Sequence, residues 1–334
     1  MNAKIGSRYI KEGRTKLETV IPLDTPLILF FDPSSYCNLA CKFCPCGNAN
    51  KNLWLENKKP NILSYELFRK VVDDCTKFNK KLKVLRLYKE GEPLLNKRLP
   101  DMINYAVKKN IAESIDFTTN GTLLTPDLNL ALIDAGINRI NISIEALNAE
   151  GYYEISGAKI DFNKFLLTLK HLYKNKQQCH IFIKISDASI RSSEDAKQFY
   201  NIFGEMCDEI AIEHITSVWP EFEPEGSKKI NIYGDEQKSL EVCPYVFYTI
   251  CINSDGSVSA CLMDWNHKLI VGNVEADSIV DIWDNNIMNR MRIENLKGNR
   301  KDLNVCANCG QLKYAAIDNI DNFKEELLKK FNQY

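Results

Sequence analysis

The side chains best equipped for chemistry are twelve cysteines in a chain of 334 residues, and most of them cluster. Cys37, Cys41, Cys44 and Cys46 form one group, and Cys243, Cys251, Cys261, Cys306 and Cys309 form another. Thiolates spaced Cys-x3-Cys-x2-Cys on one loop suit three corners of a four-iron, four-sulfur cube, whose fourth iron stays open to a small molecule. With Cys46 as a fourth ligand, the same loop would make a closed zinc site. In the second group, Cys306-Ala-Asn-Cys309 has the short spacing that clamps one metal from one loop, and four ligands suffice for a closed cluster; a structural zinc uses similar clamps. Cys251, between Ile250 and Ile252, reads as a buried free thiol, and Cys75, Cys179 and Cys207 read as core.

The first group follows the first of six β-rich runs, at residues 27–31, 84–88, 114–118, 139–144, 180–185 and 209–215. Segments of helical period lie between them. After Ser64 come Leu67, Val71, Val72, Cys75 and Phe78 at i, i+3, i+4 spacing. A second helix has Thr125 as cap, Pro126 in the first turn and Gly136 at its end. Alternating βα units imply a parallel sheet, and catalytic residues on such a scaffold gather on loops at the C-terminal strand ends. Beyond Trp219, Pro220, Pro224 and Gly226 break the pattern, and a short β pair at 249–253 and 257–261 flanks a Ser254-Asp255-Gly256 turn. Residues 319–331 carry Ile320, Phe323, Leu327, Leu328 and Phe331 at helical spacing, as expected of a helix docked on the body.

Charge and composition exclude several classes. The formal net charge of -1 removes the electrostatic case for a nucleic-acid partner, and 45% hydrophobic with 26% charged residues is ordinary for a globular protein. No stretch approaches a membrane span, and the first residues lack an apolar core of the secretory kind, so a cytoplasmic location is expected. In such a reducing compartment, thiols serve metals or catalysis more often than disulfides.

The Cys37, Cys41, Cys44 spacing after a strand resembles the signature of the radical S-adenosylmethionine (SAM) superfamily. Three further segments match in order. Arg86-Leu87-Tyr88-Lys89-Glu90-Gly91-Glu92-Pro93 resembles the Gly-Gly-Glu motif, with Glu90 in place of the first glycine. Thr118-Thr119-Asn120-Gly121 and Ile142-Ser143-Ile144-Glu145 resemble the segments that hold the SAM ribose and methionine. The resemblance implies a partial (β/α)6 TIM-like barrel of α/β class with a small C-terminal iron-sulfur domain. It implies that Phe43, Gly91, Glu92, Thr119, Asn120, Ser143 and Lys184 contact SAM, with Phe43 facing the adenine and Glu92 accepting from the chelating amine. The stretch from about residue 243 to 312 resembles the SPASM/twitch extension. Full SPASM domains use seven cysteines for two clusters, so the shorter twitch-like form is implied here, with Cys243, Cys261, Cys306 and Cys309 holding one auxiliary 4Fe-4S cluster. The implied organisation is an N-terminal extension at 1–25, a barrel at 26–220, a linker and auxiliary-cluster domain at 221–312, and a C-terminal helix at 313–334.

By the same resemblance, SAM is cleaved to a 5'-deoxyadenosyl radical that abstracts a substrate hydrogen atom. The leading expectation is a dehydrogenase that oxidises a sugar or aminocyclitol alcohol by two electrons, with the auxiliary cluster as electron acceptor and flavodoxin or ferredoxin as external reductant. Peptide modification is an alternative, disfavoured by the short N-terminal extension. So is epimerisation, for which Cys179, Cys207 or Cys251 would have to point into the barrel. From another class comes a non-catalytic electron-transfer scaffold. Glu145, Glu213, His214 and Arg191 are candidates for the general base, none of them singled out.

Overall fold

The computed structural model describes residues 3–6, 13–46, 60–234 and 239–331; parts of the expected N-terminal extension, 1–2 and 7–12, and the last three residues of the C-terminal segment lie outside them. Ten strands form one sheet: β1 (Lys4–Ile5), β2 (Ile28–Phe31), β3 (Leu82–Arg86), β4 (Ala112–Thr119), β5 (Arg139–Ile144), β6 (His180–Ser186), β7 (Glu209–Glu213), β8 (Thr249–Ile252), β9 (Ser257–Ser259) and β10 (Ile270–Asn273). Their order is β1-β7-β6-β5-β4-β3-β2-β8-β9-β10. From β2 to β7, every neighbour is parallel and next in sequence. A doubly wound sheet would reverse direction at a switch point. Strands added always on the same side, with right-handed crossovers, keep their helices on one face and curl into a partial barrel. The barrel stays open, because β7 pairs with β1 and β2 with β8.

The crossover helices are α1 (Tyr65–Cys75), α2 (Leu99–Lys109), α3 (Pro126–Asp134), α4 (Ala149–Ser156), α5 (Phe162–Lys174) and α6 (Ser193–Phe203), and all but α2 start on a side-chain cap. The Ser64 side chain accepts from Leu67 N and that of Thr125 from Leu128 N, each replacing a hydrogen bond that the first turn cannot make internally. Gly136 follows α3 at φ +92°, a left-handed turn that favours glycine.

Period-two alternation sorts the strand side chains. Leu29 and Phe31 join the helix-facing core with Phe68, Val71, Ile115, Phe117, Ile140 and Ile183. Phe30, Arg86, Asp116, Arg139, Asn141, Phe182, Lys184 and Glu209 alternate with them on the inner face, where Arg86 stacks over Phe30 and Arg139 over Phe182. This interior is polar and charged.

The second expected strand sits two residues earlier than anticipated. Leu82 is fully buried and pairs with Ala112, whereas Leu87 and Tyr88 leave the ladder to form the loop that carries Glu92. The sixth ends at Glu213, where His214 and Ile215 turn away toward Ile232 and Asp187. The short β1 was not anticipated, since two exposed residues carry no periodic signal.

Beyond residue 220, the sheet continues without a break, because β8 runs parallel to β2 and leads into the antiparallel β9 and β10. Helices α7 (Ile279–Trp283), α8 (Asn286–Leu296) and α9 (Lys324–Phe331) close this end. The last is shorter than the expected 319–331, because a 3-10 turn, Asp321–Phe323, precedes it. Leu327 and Phe331 pack with Leu17, Val242, Val246 and Phe247 in a second core. Among the described residues, no helix is long and apolar enough to cross a membrane.

Leu327 is fully buried in this second core. Leu327→Ala is expected to cost about 2–5 kcal/mol, the range for a buried leucine that leaves a cavity. Urea unfolding of the variant should show that loss as a lower midpoint at an unchanged slope.

Candidate functional site

The first cysteine loop leaves β2 through Ser34, Ser35 and Tyr36, and the backbone of the Glu92 loop is pressed against it. Glu92 N donates to Tyr36 O at 2.8 Å. A Cβ on Gly91 would lie 2.2 Å from Tyr36 O and 2.3 Å from Ser34 O, so only glycine fits. The expected close approach at Gly91 is thus to the cysteine loop's own backbone. Ala40 N donates to Ser156 O at 2.7 Å, tying the middle of the loop to the end of α4. Asn38 closes the other side: its Oδ1 accepts from Asn120 Nδ2, and its Nδ2 donates to Thr122 Oγ1.

The Glu92 carboxylate is buried behind this contact. Oε1 accepts from Leu94 N and Thr119 Oγ1, and Oε2 accepts from Asn120 N at 2.8 Å. Thr119 and Asn120, expected at the cofactor, thus turn donors toward Glu92. Burial pushes the Glu92 carboxyl up to about 7 against the pull of these three bonds. A carboxylate offers about four acceptor positions, and one at Oε2 is left for a further donor such as an amine.

The three thiols lie within electrostatic reach of one another. Burial pushes Cys37 up to about 12, with Glu92 and Cys44 adding to it. Cys41 is raised too, by burial first and then by Glu145, to whose carboxyl its thiol is hydrogen-bonded. Among the described residues, no three His, Cys, Asp or Glu side chains converge on one metal-ion position. Cys46 is buried against Trp265.

A cleft of about 200 Å³ opens at the C-terminal ends of β5, β6 and β7. Ser143 and Lys184 occupy one register position on neighbouring strands, which brings both into it. Phe43, Glu145, Glu213, His214 and Trp219 complete its sequence-legible wall. Lys184 Nζ lies 2.9 Å from Glu213 Oε2, and Tyr233 donates to Glu213 Oε1 at 3.0 Å. Arg191 instead pairs with Glu154 on the outer surface, so it leaves the set of candidate bases.

Cys243, Cys261, Cys306 and Cys309 lie within electrostatic reach of one another, and Trp219 packs against the group that holds Cys261. Burial and the neighbouring thiols push Cys243 to about 12 and Cys306 to about 11, and Cys261 and Cys309 are raised by burial as well. Gly310 is obligatory here, because a Cβ would lie 1.8 Å from Ser217 O. Arg300 donates to Cys306 O. Cys251 is fully buried beside Lys89, whose ammonium opposes the burial that raises the thiol to about 12.

Residues 32–185 match the radical SAM superfamily model, and residues 243–310 match the SPASM iron-sulfur cluster-binding domain. The chain is a radical SAM protein. A probable GTP 3',8-cyclase of Methanococcus vannielii is 34% identical over 126 residues, 37% of this chain and 38% of that protein. The matched segment thus spans well under half of that relative. Among solved structures, BtrN in complex with AdoMet and 2-DOIA has a TM-score of 0.58 at 18% identity, covering 88% of this chain and 97% of that one. Native anSMEcpe with bound AdoMet has a TM-score of 0.61 at 17% identity, covering 92% and 97%. These two likenesses concern the fold.

The cofactors of a radical SAM protein with a SPASM domain are a SAM-binding 4Fe-4S cluster, SAM and auxiliary iron-sulfur. The donor sets fit them. Buried thiols that raise one another's pKa ionise readily only beside a strong positive charge, which cluster iron supplies. Cys37, Cys41 and Cys44 would hold the first cluster; the open acceptor position of Glu92, with Phe43, Ser143 and Lys184, would meet SAM.

Sequence reasoning missed the junction between barrel and C-terminal domain. Lys89 Nζ lies 2.6 Å from Glu90 Oε1, donates to Asn253 Oδ1 and Asp264 O, and is buried with them. His267 Nε2 lies 2.8 Å from the same Glu90 oxygen. The signal was Glu90 itself, a charged residue in place of the first glycine of the Gly-Gly-Glu motif that the segment resembles.

Gly91→Ala should therefore displace the cysteine loop. We expect anaerobically reconstituted G91A to lose about four iron atoms per chain, measured as iron and sulfide content, and to keep the auxiliary cluster signal in electron paramagnetic resonance.

Proposed function

We propose that this radical SAM protein oxidises an alcohol carbon of a small polar substrate, a sugar or an aminocyclitol, by two electrons. When bound, SAM and its cluster supply a hydrogen-abstracting 5'-deoxyadenosyl radical. An external one-electron donor such as flavodoxin or ferredoxin would feed that cluster. The chain's own part is to orient the hydroxyl, take its proton and offer the remaining electron a short way out.

One observation carries the reading: Trp219 is shared by the cleft and by both thiol groups. It lines the cleft, packs with Cys44 against the pair Cys46 and Trp265, and packs with Cys309 against the group that holds Cys261 and Met263. Trp219 thereby links the cleft wall to packing that includes members of both thiol groups. The four thiols match one auxiliary 4Fe-4S cluster, with Cys243, Cys261, Cys306 and Cys309 as ligands. The cleft's Ser143, Glu145, Lys184, Glu213 and His214 offer donors and acceptors at short spacing, which suits a hydroxylated or aminated ring. The 2-DOIA complex of the fold neighbour BtrN is compatible with a ligand of that size. Epimerisation is less well supported: Cys179 and Cys207 pack in the helix-facing core, and Cys251, in register with Phe30 on the inner face, is fully buried beside Lys89 and does not line the cleft.

The test separates cleavage from oxidation. Wild-type protein, reconstituted with both clusters and given a panel of inositols, aminocyclitols and hexoses, is expected to form 5'-deoxyadenosine and a ketone lighter by two hydrogens. Cys306→Ala/Cys309→Ala should keep 5'-deoxyadenosine formation within about tenfold and lose the ketone, as expected when only the electron acceptor is removed. Ketone formation at the wild-type rate in the double variant would contradict an electron-accepting auxiliary cluster.

A further inference from the structure

We propose that His214, held by Asp187, is the general base that accepts the substrate's hydroxyl proton. The inference rests on the alcohol-oxidation reading above and assigns the proton, as that reading assigned the electron.

The geometry is that of a base with a fixed orienter. His214 follows β7 and lines the cleft. Its Nδ1 lies 2.7 Å from Asp187 Oδ2, on the 3-10 turn just after β6, and the imidazole is 27% exposed. Asp187 is itself anchored. Ile215 N donates to Oδ1 at 3.0 Å, and Lys228 Nζ lies 2.7 Å from Oδ2. Burial opposes ionisation of Asp187, but the bonds from Lys228, His214 and Ile215 together hold its carboxyl below the usual range, so it stays charged. Lys228 Nζ also lies 3.2 Å from Nδ1, but the charged Asp187 oxygen is nearer to both, and an anionic acceptor at Nδ1 favours the tautomer with the proton there and a lone pair on Nε2. Among the described residues, Nε2 has no hydrogen-bond partner. Gly234, at φ +89°, sits beside it, and a Cβ at that position would stand 3.2 Å from Nε2. The glycine leaves that nitrogen uncovered.

The other acids of the cleft are engaged. Glu213 takes Lys184 and Tyr233 on its two oxygens, and Glu145 faces the Cys41 thiol. The groups that face or border the imidazole are thus Asp187, Lys228, Lys184, Glu213 and Tyr233, and Asp187 is the anion in direct contact.

The hydrogen atom on the alcohol carbon leaves to the adenosyl radical, and the electron left on that carbon leaves to the auxiliary cluster. The O–H bond breaks toward Nε2, giving a C=O and an imidazolium whose charge Asp187 offsets.

The experiment uses the doubly reconstituted full chain and the same panel, deuterated at the reacting carbon. For His214→Gln we expect substrate affinity by calorimetry within about threefold of wild type, deuterium still entering 5'-deoxyadenosine, and ketone reduced by about 10²-fold or more, as for loss of a general base. Asp187→Asn, lacking the anion that offsets the imidazolium, should also lower ketone formation while deuterium still enters 5'-deoxyadenosine. Ketone formation by H214Q within about threefold of wild type across pH would overturn the base and leave the oxidation reading standing. A lost affinity with unchanged turnover would make His214 a binding residue and also overturn it. A wild type that makes 5'-deoxyadenosine but no ketone from any panel member would overturn the oxidation reading, and the base with it.

Discussion

A buried carboxylate with three donors behind it, and a backbone contact that admits no side chain in front of it, set the position of everything else at the barrel mouth. Glu92 draws Thr119 and Asn120 from the end of β4 toward the loop after β3, and its own amide grips Tyr36 at the root of the cysteine loop. Asn38 and Asn120 then bind each other across the same gap. Three strand ends are fastened at one point. The cost of burying the carboxylate is offset by bonds that exist only when all three loops are in place, which makes the arrangement cooperative.

Two groups of buried and half-buried thiols accompany this fixed point, and neither is comfortable alone. Cys37 and Cys41 stand near the Glu145 carboxyl and near Cys44, and the second four stand near one another, so ionisation is opposed in both places. Iron reverses that balance, which links cluster loading to the stability of the loops. Trp219 lines the cleft and packs against groups that include Cys46 and Cys261. At the junction, the Lys89, Glu90 and His267 contacts fasten the loop after β3 to the segment after β9, so the auxiliary site is fixed relative to the barrel mouth by buried charge as well as by the β2–β8 ladder. Removing one partner of such a buried set leaves another uncompensated.

The barrel was legible because its strands repeat a strong local pattern and its helices carry caps that act within one turn. Ser64 and Thr125 did what their position implied. The radical SAM and SPASM resemblances were legible because thiolate spacing is set by cluster geometry and survives wide divergence elsewhere. What stayed hidden depends on contacts between distant segments. Asp187 and His214 are 27 residues apart with no motif joining them. The role of Gly91 in admitting the cysteine loop is visible only once the two backbones meet. Glu90 was noticed as a departure from the family pattern, but its partner His267 lies 177 residues away. The continuity of β8 with β2 escaped notice for the same reason, since a change of composition after Trp219 carries no information about which sheet edge the next strand will join.

The most direct measurement isolates the first cluster. A variant with Cys243, Cys261, Cys306 and Cys309 all replaced by alanine, reconstituted anaerobically and reduced, should hold one 4Fe-4S cluster whose electron paramagnetic resonance signal changes when SAM is added, because SAM occupies the open iron. It should go on to release 5'-deoxyadenosine. A signal indifferent to SAM, or a single zinc ion bound by Cys37, Cys41, Cys44 and Cys46 in its place, would contradict three thiolates holding a cluster with one corner open.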